Sequence, residues 1–418
     1  MLSSYTIIFE DTMVKNIVGT PARGADFFDR EELVALLWKR LETGNILLAA
    51  PRRFGKTSVM YRLLDRPEPG WKPIHVDAES IREPVNFVIA LLDALMRDRE
   101  MHRFLISSWQ SLGGWIRGLL DGVEVGTPWD VSVKIELKEK IQDTWQEKAE
   151  ELLGRLCDYD RTLKILFIID ELPLMLHLFR DNEVSDRDTR AFVYWFRKLR
   201  TDPLIGLTNC RFLVGGSVGI DPYLSRLGAI DSFNDFERIT LSEISPAMAE
   251  TFMKDLLMSR EIALSNASLK HCLSLIGSPI PYFIQVFVAE IANELAQRPA
   301  SLGPKRLEEL YQDRVLGASC KSYFQHYYDR LRYYDKEEEQ AAKALLRELA
   351  LAYPESLSRA HMTAVYRRTL GESATDDRFA GLVGILENDF YIRYRTEEGG
   401  YIFASKVLCD WWRRYYAF

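Results

Sequence analysis

The first residues with a spacing suited to chemistry form one stretch near the start of the chain, residues 50–58, which reads APRRFGKTS. A short apolar run over 46–49 precedes it, and apolar residues at helical spacing follow it. A strand, a short loop and the first turn of a helix can capture phosphate, because backbone N–H groups turn inward and the helix dipole adds positive charge. The stretch therefore predicts a P-loop that holds phosphate mainly through backbone groups from Arg53 to Thr57.

Side chains of this stretch are expected to add to the binding of phosphate by the backbone. Lys56 can reach the outer phosphates of a nucleoside triphosphate, and the Thr57 hydroxyl can ligate Mg²⁺. The remaining residues expected to contact the nucleotide here are Ala50, Pro51, Arg52, Arg53, Phe54, Gly55 and Ser58.

A pair of carboxylates, Asp170 and Glu171, ends the apolar run over 163–169. An apolar run without alternation is typical of a central parallel strand that is buried on both faces. In a P-loop protein the first acid would hold the water shell of Mg²⁺, and the second could orient or deprotonate the attacking water. The structural alternative is that Asp170 caps a helix with proline in its first turn. The metal interpretation is favoured because the pair follows a P-loop.

Two later segments are candidates for the same site. Ser217 follows an apolar run over 210–214 and a glycine pair. Its hydroxyl could face the terminal phosphate or cap a helix, and the two interpretations have equal weight. Pro279 and Pro281 stiffen the entrance of a predicted helix. They could form a rigid wall against adenine or simply start that helix.

The elements that must position these residues alternate between strands and helices up to about residue 245. This alternation predicts an α/β fold with a parallel sheet sandwiched by helices. An insertion near 100–160 is expected to mix helices with an amphipathic strand over 131–137. Predicted strands of the sheet cover 46–49, 72–77, 163–169, 210–216 and 236–241.

After residue 245 the predicted elements are helices until the last part of the chain. Three helices and a hairpin around 397–400 then predict a winged-helix module. The predicted domains are an N-terminal extension (1–23), a P-loop core (24–245), an all-helical lid (246–334) and a winged-helix domain (335–418).

Composition limits the partners that we expect. The net charge of -7 and the pI near 5.6 exclude binding of a polyanion by bulk charge. The third helix of the predicted winged helix is acidic, so DNA contact would depend on Arg393, Arg395, Arg413 and Arg414. The cysteines are scattered, and no apolar run approaches the roughly 18 residues of a membrane span. We therefore expect a cytoplasmic protein that does not enter a membrane.

Taken in order, the P-loop, the DELP strand end, the GGS segment, the GSPIP turn and the C-terminal module resemble the archaeal-type ATPases of the STAND/AAA+ superfamily of P-loop NTPases. The resemblance implies ATP and Mg²⁺ as cofactors. By this similarity Lys56 and Thr57 bind phosphates and Mg²⁺, Asp170 completes the metal site and Glu171 is the catalytic base. Ser217 matches the sensor position, and the residues near adenine would be Gly277, Pro279 and Pro281.

The chain departs from the family pattern at three places. Ala50 replaces the first glycine of the P-loop, which is tolerated only if this position avoids positive φ. Asp29 stands in a segment where such proteins usually carry glycine. No arginine is identifiable as the finger that completes hydrolysis in trans, and the candidates are Arg197, Arg200, Arg226 and Arg238.

These features predict a Mg²⁺-dependent switch ATPase in which ATP closes the helical and winged-helix domains onto the core. The resemblance implies assembly as a homo-oligomer, with a partner protein docked through the winged helix, or both. One alternative is a nucleotide-stabilised protein-interaction scaffold with negligible turnover. Another is a DNA-handling ATPase that acts through the winged helix.

Overall fold

The computed structural model describes residues 14–108, 129–203, 205, 207–216, 219–299 and 301–418. The chain divides into two compact units. The sheet unit comprises Glu31–Arg52 and Val59–Leu241, and the helical unit comprises the described residues up to Arg30 together with Arg53–Ser58 and Ser242–Phe418.

The sheet unit contains five strands: β1 (Asn45–Ala49), β2 (Trp71–Asp77), β3 (Lys164–Asp170), β4 (Cys210–Gly216) and β5 (Phe236–Thr240). All of them pair in parallel, in the order β2-β3-β4-β1-β5. The last six residues of β3 are buried, as expected for an interior strand covered on both faces. The predicted parallel α/β sheet is therefore confirmed.

Helices of the sheet unit precede β1 or connect these parallel strands. They are α1 (Glu31–Leu41), α2 (Lys56–Asp65), α3 (Pro84–Arg97), α4 (Arg99–Ser108), α5 (Val131–Ile141), α6 (Trp145–Tyr159), α7 (Leu172–Asp181), α8 (Asp186–Thr201) and α9 (Asp221–Arg226). The first residues of α2, up to Ser58, group with the helical unit.

The strand predicted over 131–137 is wrong, because this segment belongs to α5. Leu137 and Ile141, one helical turn apart, are the buried residues of α5, whereas Val131 is 72% exposed. The alternating sequence fits a strand, but the contacts with α3 select one helical face instead. Residues 109–128 of the predicted insertion lie outside the described residues.

Asp93, on α3, fastens the segment around α5 to the core of the sheet unit. Its buried carboxylate accepts hydrogen bonds from the Trp129 backbone at 3.0 Å and from Arg97 at 2.5 Å. Lys134 Nζ lies 3.0 Å from Asp93 Oδ2. Burial alone would raise the pKa of Asp93, but these donors outweigh it and hold the pKa below its ordinary value.

Two cysteines that lie far apart in sequence meet in the core of the sheet unit. Cys157 Sγ on α6 and Cys210 Sγ on β4 are 2.7 Å apart, and both residues are free thiols. Contact with Cys157 and burial raise the pKa of Cys210, so its thiolate form is disfavoured.

The helical unit continues after residue 245 with α10 (Pro246–Met258), α11 (Asn266–Ile276), α12 (Pro281–Gln297), α13 (Pro304–Leu310) and α14 (Lys321–Arg330). A π-helical turn, Tyr311–Val315, directly follows α13. In the described part of the chain, no helix is long and apolar enough to cross a membrane.

The predicted C-terminal helices and hairpin are present. They are α15 (Lys336–Ala352), β6 (Leu357–Ser358), α16 (Arg359–Leu370), α17 (Asp376–Asn388), β7 (Ile392–Arg395), β8 (Gly400–Phe403) and α18 (Lys406–Tyr416). The three strands form an antiparallel sheet in the order β6-β8-β7. Ser358 caps α16, because its hydroxyl accepts a hydrogen bond from the His361 backbone.

Two arginines of α18 donate hydrogen bonds to backbone carbonyls of the helical unit. Arg413 donates to the carbonyl oxygens of Ala350 and Tyr353, at 2.8 and 2.9 Å. These oxygens lie at the end of α15, where helical carbonyls lack intrahelical partners. Arg414 donates to the Gln312 carbonyl at 2.6 Å. Both guanidinium groups therefore stabilise the fold.

Two further arginines of this module have carboxylate partners. Arg395, at the end of β7, contacts Glu398 at 2.6 Å, and Arg378 on α17 contacts Glu337 at 2.8 Å. Arg393 is exposed on β7. Most of the cations considered for DNA contact are thus already neutralised or bonded.

We predict that Asp93→Asn lowers the free energy of unfolding by about 2 kcal/mol at neutral pH, because an amide cannot replace the carboxylate toward two cations. The folded pKa is lowered, so the carboxylate stabilises the fold above its ordinary pKa of 3.8. That stabilisation is lost as the pH falls through the folded pKa. Urea denaturation at pH 7 and at about pH 3.5 should show a difference that shrinks in acid.

Glu136→Gln is the matched control on α5. This carboxylate is exposed and pairs with Lys140 one helical turn away. Its loss should change stability by less than about 0.5 kcal/mol. Equal destabilisation by the two variants would contradict the role assigned to Asp93.

Candidate nucleotide-binding site

The loop over 50–55 joins β1 to α2, as expected for a P-loop. Arg53 and Gly55 have left-handed backbones, with φ of 75° and 89°. Ala50 has no positive φ and is almost fully buried. Alanine therefore occupies the position expected for the first P-loop glycine without backbone strain.

Lys56 and Thr57 are the first two residues of α2. Backbone N–H groups in the first turn of a helix have no carbonyl partner within the helix itself, and in many proteins this turn binds an anion. Lys56 is only 5% exposed, whereas Thr57 is half-buried. The helix start lies where the sequence predicts it.

The order of the sheet brings three strand ends to one edge. β4 lies between β1 and β3, so the chain leaving β4 emerges between the chains leaving the other two. The Ala50 backbone N–H donates to the Gly216 carbonyl at 3.2 Å, and the Ala78 N–H donates to the Asp170 carbonyl at 3.0 Å. Ser217 itself lies outside the described residues.

Asp170 is the last residue of β3 and is 6% exposed. The N-cap position of α7 belongs to Glu171, so the alternative of an Asp170 helix cap is wrong. Glu171 has a left-handed backbone with φ of 59°, and its side chain forms no capping hydrogen bond. Such a conformation in a non-glycine residue is strained and is concentrated at functional sites.

Asp77 is a carboxylate that the sequence reasoning did not select. It ends β2 and stands directly beside Asp170 in the strand register. Its Oδ1 accepts a hydrogen bond from the Glu79 backbone at 3.0 Å. The available signal was its position as the last residue of a predicted strand.

Mg²⁺ fits the chemistry of the residues at this sheet edge. A hydroxyl and a buried carboxylate are hard oxygen donors, and Mg²⁺ commonly takes one or two carboxylates and completes its shell with phosphate and water. Within the described residues, no group of three or more His, Cys, Asp or Glu forms a metal cluster. Thr57 offers a hydroxyl of this kind and Asp170 a buried carboxylate, and their joint role toward Mg²⁺ stays a prediction.

The turn before α12 has clear structural duties. Gly277 ends α11 with φ of 70°, and a Cβ there would lie 2.4 Å from Lys406 Cδ. The Ser278 hydroxyl accepts a hydrogen bond from the Lys406 backbone at 3.2 Å. Pro281 is the first residue of α12, and the Pro279 carbonyl accepts from Ile244. The turn starts α12 and contacts the first residue of α18. Its role toward adenine stays a prediction.

Three side chains of the P-loop stretch contact other parts of the helical unit. The Arg53 guanidinium lies 4.3 Å from the ring centroid of Tyr282, on α12. The rings of Phe54 and Phe390 are 6.4 Å apart, and the Ser58 hydroxyl accepts from the Ala22 backbone at 2.9 Å. These contacts are absent from any sequence pattern, because they join residues far apart in the chain.

Asp29, in the segment before α1, has a left-handed backbone with φ of 46°. This conformation explains why glycine suits the position, and aspartate tolerates it better than most residues. Its neighbour Arg30 donates to the Ser242 carbonyl at 2.7 Å, and Phe28 packs on Phe252.

The structure assigns a structural role to one arginine considered as a finger. The side chain of Arg200 is fully buried and contacts Asp235 at 2.7 Å. It also donates to the carbonyls of Phe196 and Ser232. Burial lowers the pKa of Arg200, and Asp235 opposes the shift. A residue held in this way cannot reach a neighbouring molecule.

Two other candidates are bound less deeply. Arg238 makes two hydrogen bonds to Asp221, at 2.5 and 2.6 Å, and Arg197 pairs with Asp231. Arg226 lies 5.7 Å from the ring centroid of Tyr223. The choice among these three stays open.

The sheet order, the P-loop and the acidic end of β3 define an AAA+-like P-loop fold. The Walker-type ATPase PABY2304 of Pyrococcus abyssi is similar over 95% of this chain and 99% of its own, with a TM-score of 0.63 and 16% identity. The ORC2 protein of Aeropyrum pernix, solved with ADPNP and ADP, is similar over 97% and 98%, with a TM-score of 0.51 and 12% identity. No protein-family model and no curated protein matches the sequence. At these identities the likeness shows the fold.

We predict that Gly55→Ala destabilises the protein without nucleotide by about 1–2 kcal/mol, because alanine at a left-handed φ is strained. No atom lies within 4 Å of a Cβ at Gly55, so the cost comes from the backbone. Gly303→Ala is the control, since that position has φ of -78° and equal space. Thermal unfolding should distinguish the variants, and equal midpoints would contradict the assigned strain.

Proposed function

We propose that this protein is an ATP-binding, Mg²⁺-dependent ATPase of the archaeal type within the STAND/AAA+ superfamily. The observation that carries the proposal is the arrangement at one sheet edge. β1 leads through the loop over 50–55 into α2, while β3, two strands away, ends in the buried Asp170. The similar fold of PABY2304, which is described as a Walker-type ATPase, supports the same function.

Each residue of the site receives a role from its chemistry. Backbone N–H groups at the start of α2 would hold the phosphates, and Lys56 would neutralise the outer ones. Thr57 and Asp170 would bind Mg²⁺, which would neutralise charge on the phosphates. Glu171 would orient the attacking water and accept its proton. Ser217 would sense the terminal phosphate.

The proposal includes a switch between nucleotide states. We assign 246–334 as a helical lid and 335–418 as a winged-helix domain. The docking of Lys406, the first residue of α18, on Gly277 and Ser278 supports coupling between these two domains. Pro279 and Pro281 in the same turn would lie near adenine. Nucleotide binding would therefore be transmitted through this turn to the C-terminal domain.

A protein partner or a second copy of the chain suits the C-terminal domain better than DNA. Asp376 and Asp377 make the start of α17 acidic, and phosphate groups would be repelled there. The wing hairpin exposes Tyr394, which is 47% accessible. Exposed aromatic residues are enriched at protein interfaces.

We predict that Lys56→Ala abolishes binding of Mg-ATP, whereas Glu171→Gln preserves binding and stops turnover. The lysine would neutralise phosphate charge, and an amide cannot accept the proton of the attacking water. Titration calorimetry measures the first effect, and phosphate release under multiple turnover measures the second. Hydrolysis by Glu171→Gln at the wild-type rate would remove Glu171 from the role of base. Release limited to one phosphate per wild-type chain would favour the scaffold alternative.

We further predict that Mg-ATP increases the molecular mass of the Glu171→Gln protein in solution relative to ADP, because assembly would depend on the triphosphate state. Light scattering coupled to size-exclusion chromatography measures this mass. An identical mass with ATP and ADP would refute nucleotide-controlled assembly.

A further inference from the structure

Arg53 differs from the other P-loop residues in what surrounds its side chain. It is half-buried in the loop, and its Nε is buried and has no hydrogen-bond partner within the described residues. Among the described residues, no carboxylate forms an ion pair with the Arg53 guanidinium. A buried donor without a partner is costly, so a guanidinium held in this way requires an acceptor.

Tyr282 determines where the guanidinium lies. The ring is 5% exposed and sits 4.3 Å from the Arg53 guanidinium carbon, a distance typical of a cation–π contact. Phe283 and Tyr323 fix the ring through edge contacts with centroid distances of 5.5 and 5.7 Å. Pro281 precedes it at the start of α12 and restricts the backbone.

The ring contributes its face and not its hydroxyl to this contact. Tyr282 Oη is buried and makes no hydrogen bond to a described residue. Burial raises the pKa of Tyr282, so the phenol stays neutral while Arg53 is charged. A neutral ring orients the cation without neutralising it, and the guanidinium keeps its full charge for an anion.

We infer that the Arg53 side chain binds a phosphate group of the nucleotide and that Tyr282 is its positioning residue. This inference rests on the proposed function. The backbone of Arg53 belongs to the loop that would surround the phosphates. A phosphate oxygen is therefore the hydrogen-bond acceptor that best suits the Arg53 guanidinium. Tyr282 also links this contact to the first turn of α12.

Arg53→Asn tests the phosphate contact. Asparagine tolerates the left-handed backbone and removes the guanidinium. Mg-ATP should bind about tenfold or more weakly, the factor expected for a lost hydrogen bond between charged groups. The remaining affinity should fall less steeply with added NaCl than in the wild type, because one charge–charge contact is gone. Arg66→Asn, an equal charge change at an exposed position, should retain wild-type affinity.

Two variants of Tyr282 test the positioning role. Tyr282→Leu should weaken Mg-ATP binding about threefold to tenfold, because the cation–π contact is lost. Tyr282→Phe keeps the ring and should bind as the wild type does. A purely structural tyrosine would lower the unfolding temperature in Tyr282→Leu without changing affinity, and this outcome would overturn the role. The leucine variant could fail to fold. In that case, wild-type affinity in Tyr282→Phe together with the Arg53→Asn result supports the positioning role of Tyr282. Weak binding by Tyr282→Phe overturns this role.

The design separates this inference from the function on which it rests. Absence of Mg-ATP binding in the wild type would overturn both. Binding that Lys56→Ala abolishes but Arg53→Asn leaves unchanged, in affinity and in salt dependence, would overturn only the role of Arg53.

Discussion

The parallel pairing of β4 with both β1 and β3 is the constraint on which the site depends. Parallel strands end at the same edge of a sheet, so this pairing brings Ala50, Gly216 and Asp170 to one edge. In the sequence, Ala50 lies more than a hundred positions before the other two residues. Hydrophobic burial of β3 on both faces stabilises the strand that ends in the acid.

In the loop that follows β1, the backbone and the side chains have different roles. The left-handed conformations of Arg53 and Gly55 shape the loop. Side chains of the same loop, those of Arg53 and Phe54, contact Tyr282 and Phe390. A change in the loop that accompanied ligand binding would therefore affect the contacts at Tyr282, near the start of α12, and at Phe390, two residues before β7.

The arginines of the C-terminal module show that the role of a charged side chain depends on its partners in the tertiary structure. In the sequence, Arg413 and Arg414 look available for a polyanion. In the fold they satisfy backbone carbonyls, including those at the end of α15. Similarly, Arg200 is a candidate for action in trans until its burial beside Asp235 is known. Each of these cations stabilises its own chain.

The sequence by itself determined the P-loop, the strand that ends in Asp170, and most helix and strand positions, because local patterns of apolar residues and caps carry that information. It failed at 131–137, where the alternating sequence fits a strand but the segment is a helix that buries Leu137 and Ile141. Contacts such as Asp77 beside Asp170, Cys157 with Cys210 and Arg53 on Tyr282 were decided by the tertiary structure alone. The physical reason is that strand order and long-range packing join distant segments, and no local spacing encodes which segments will meet.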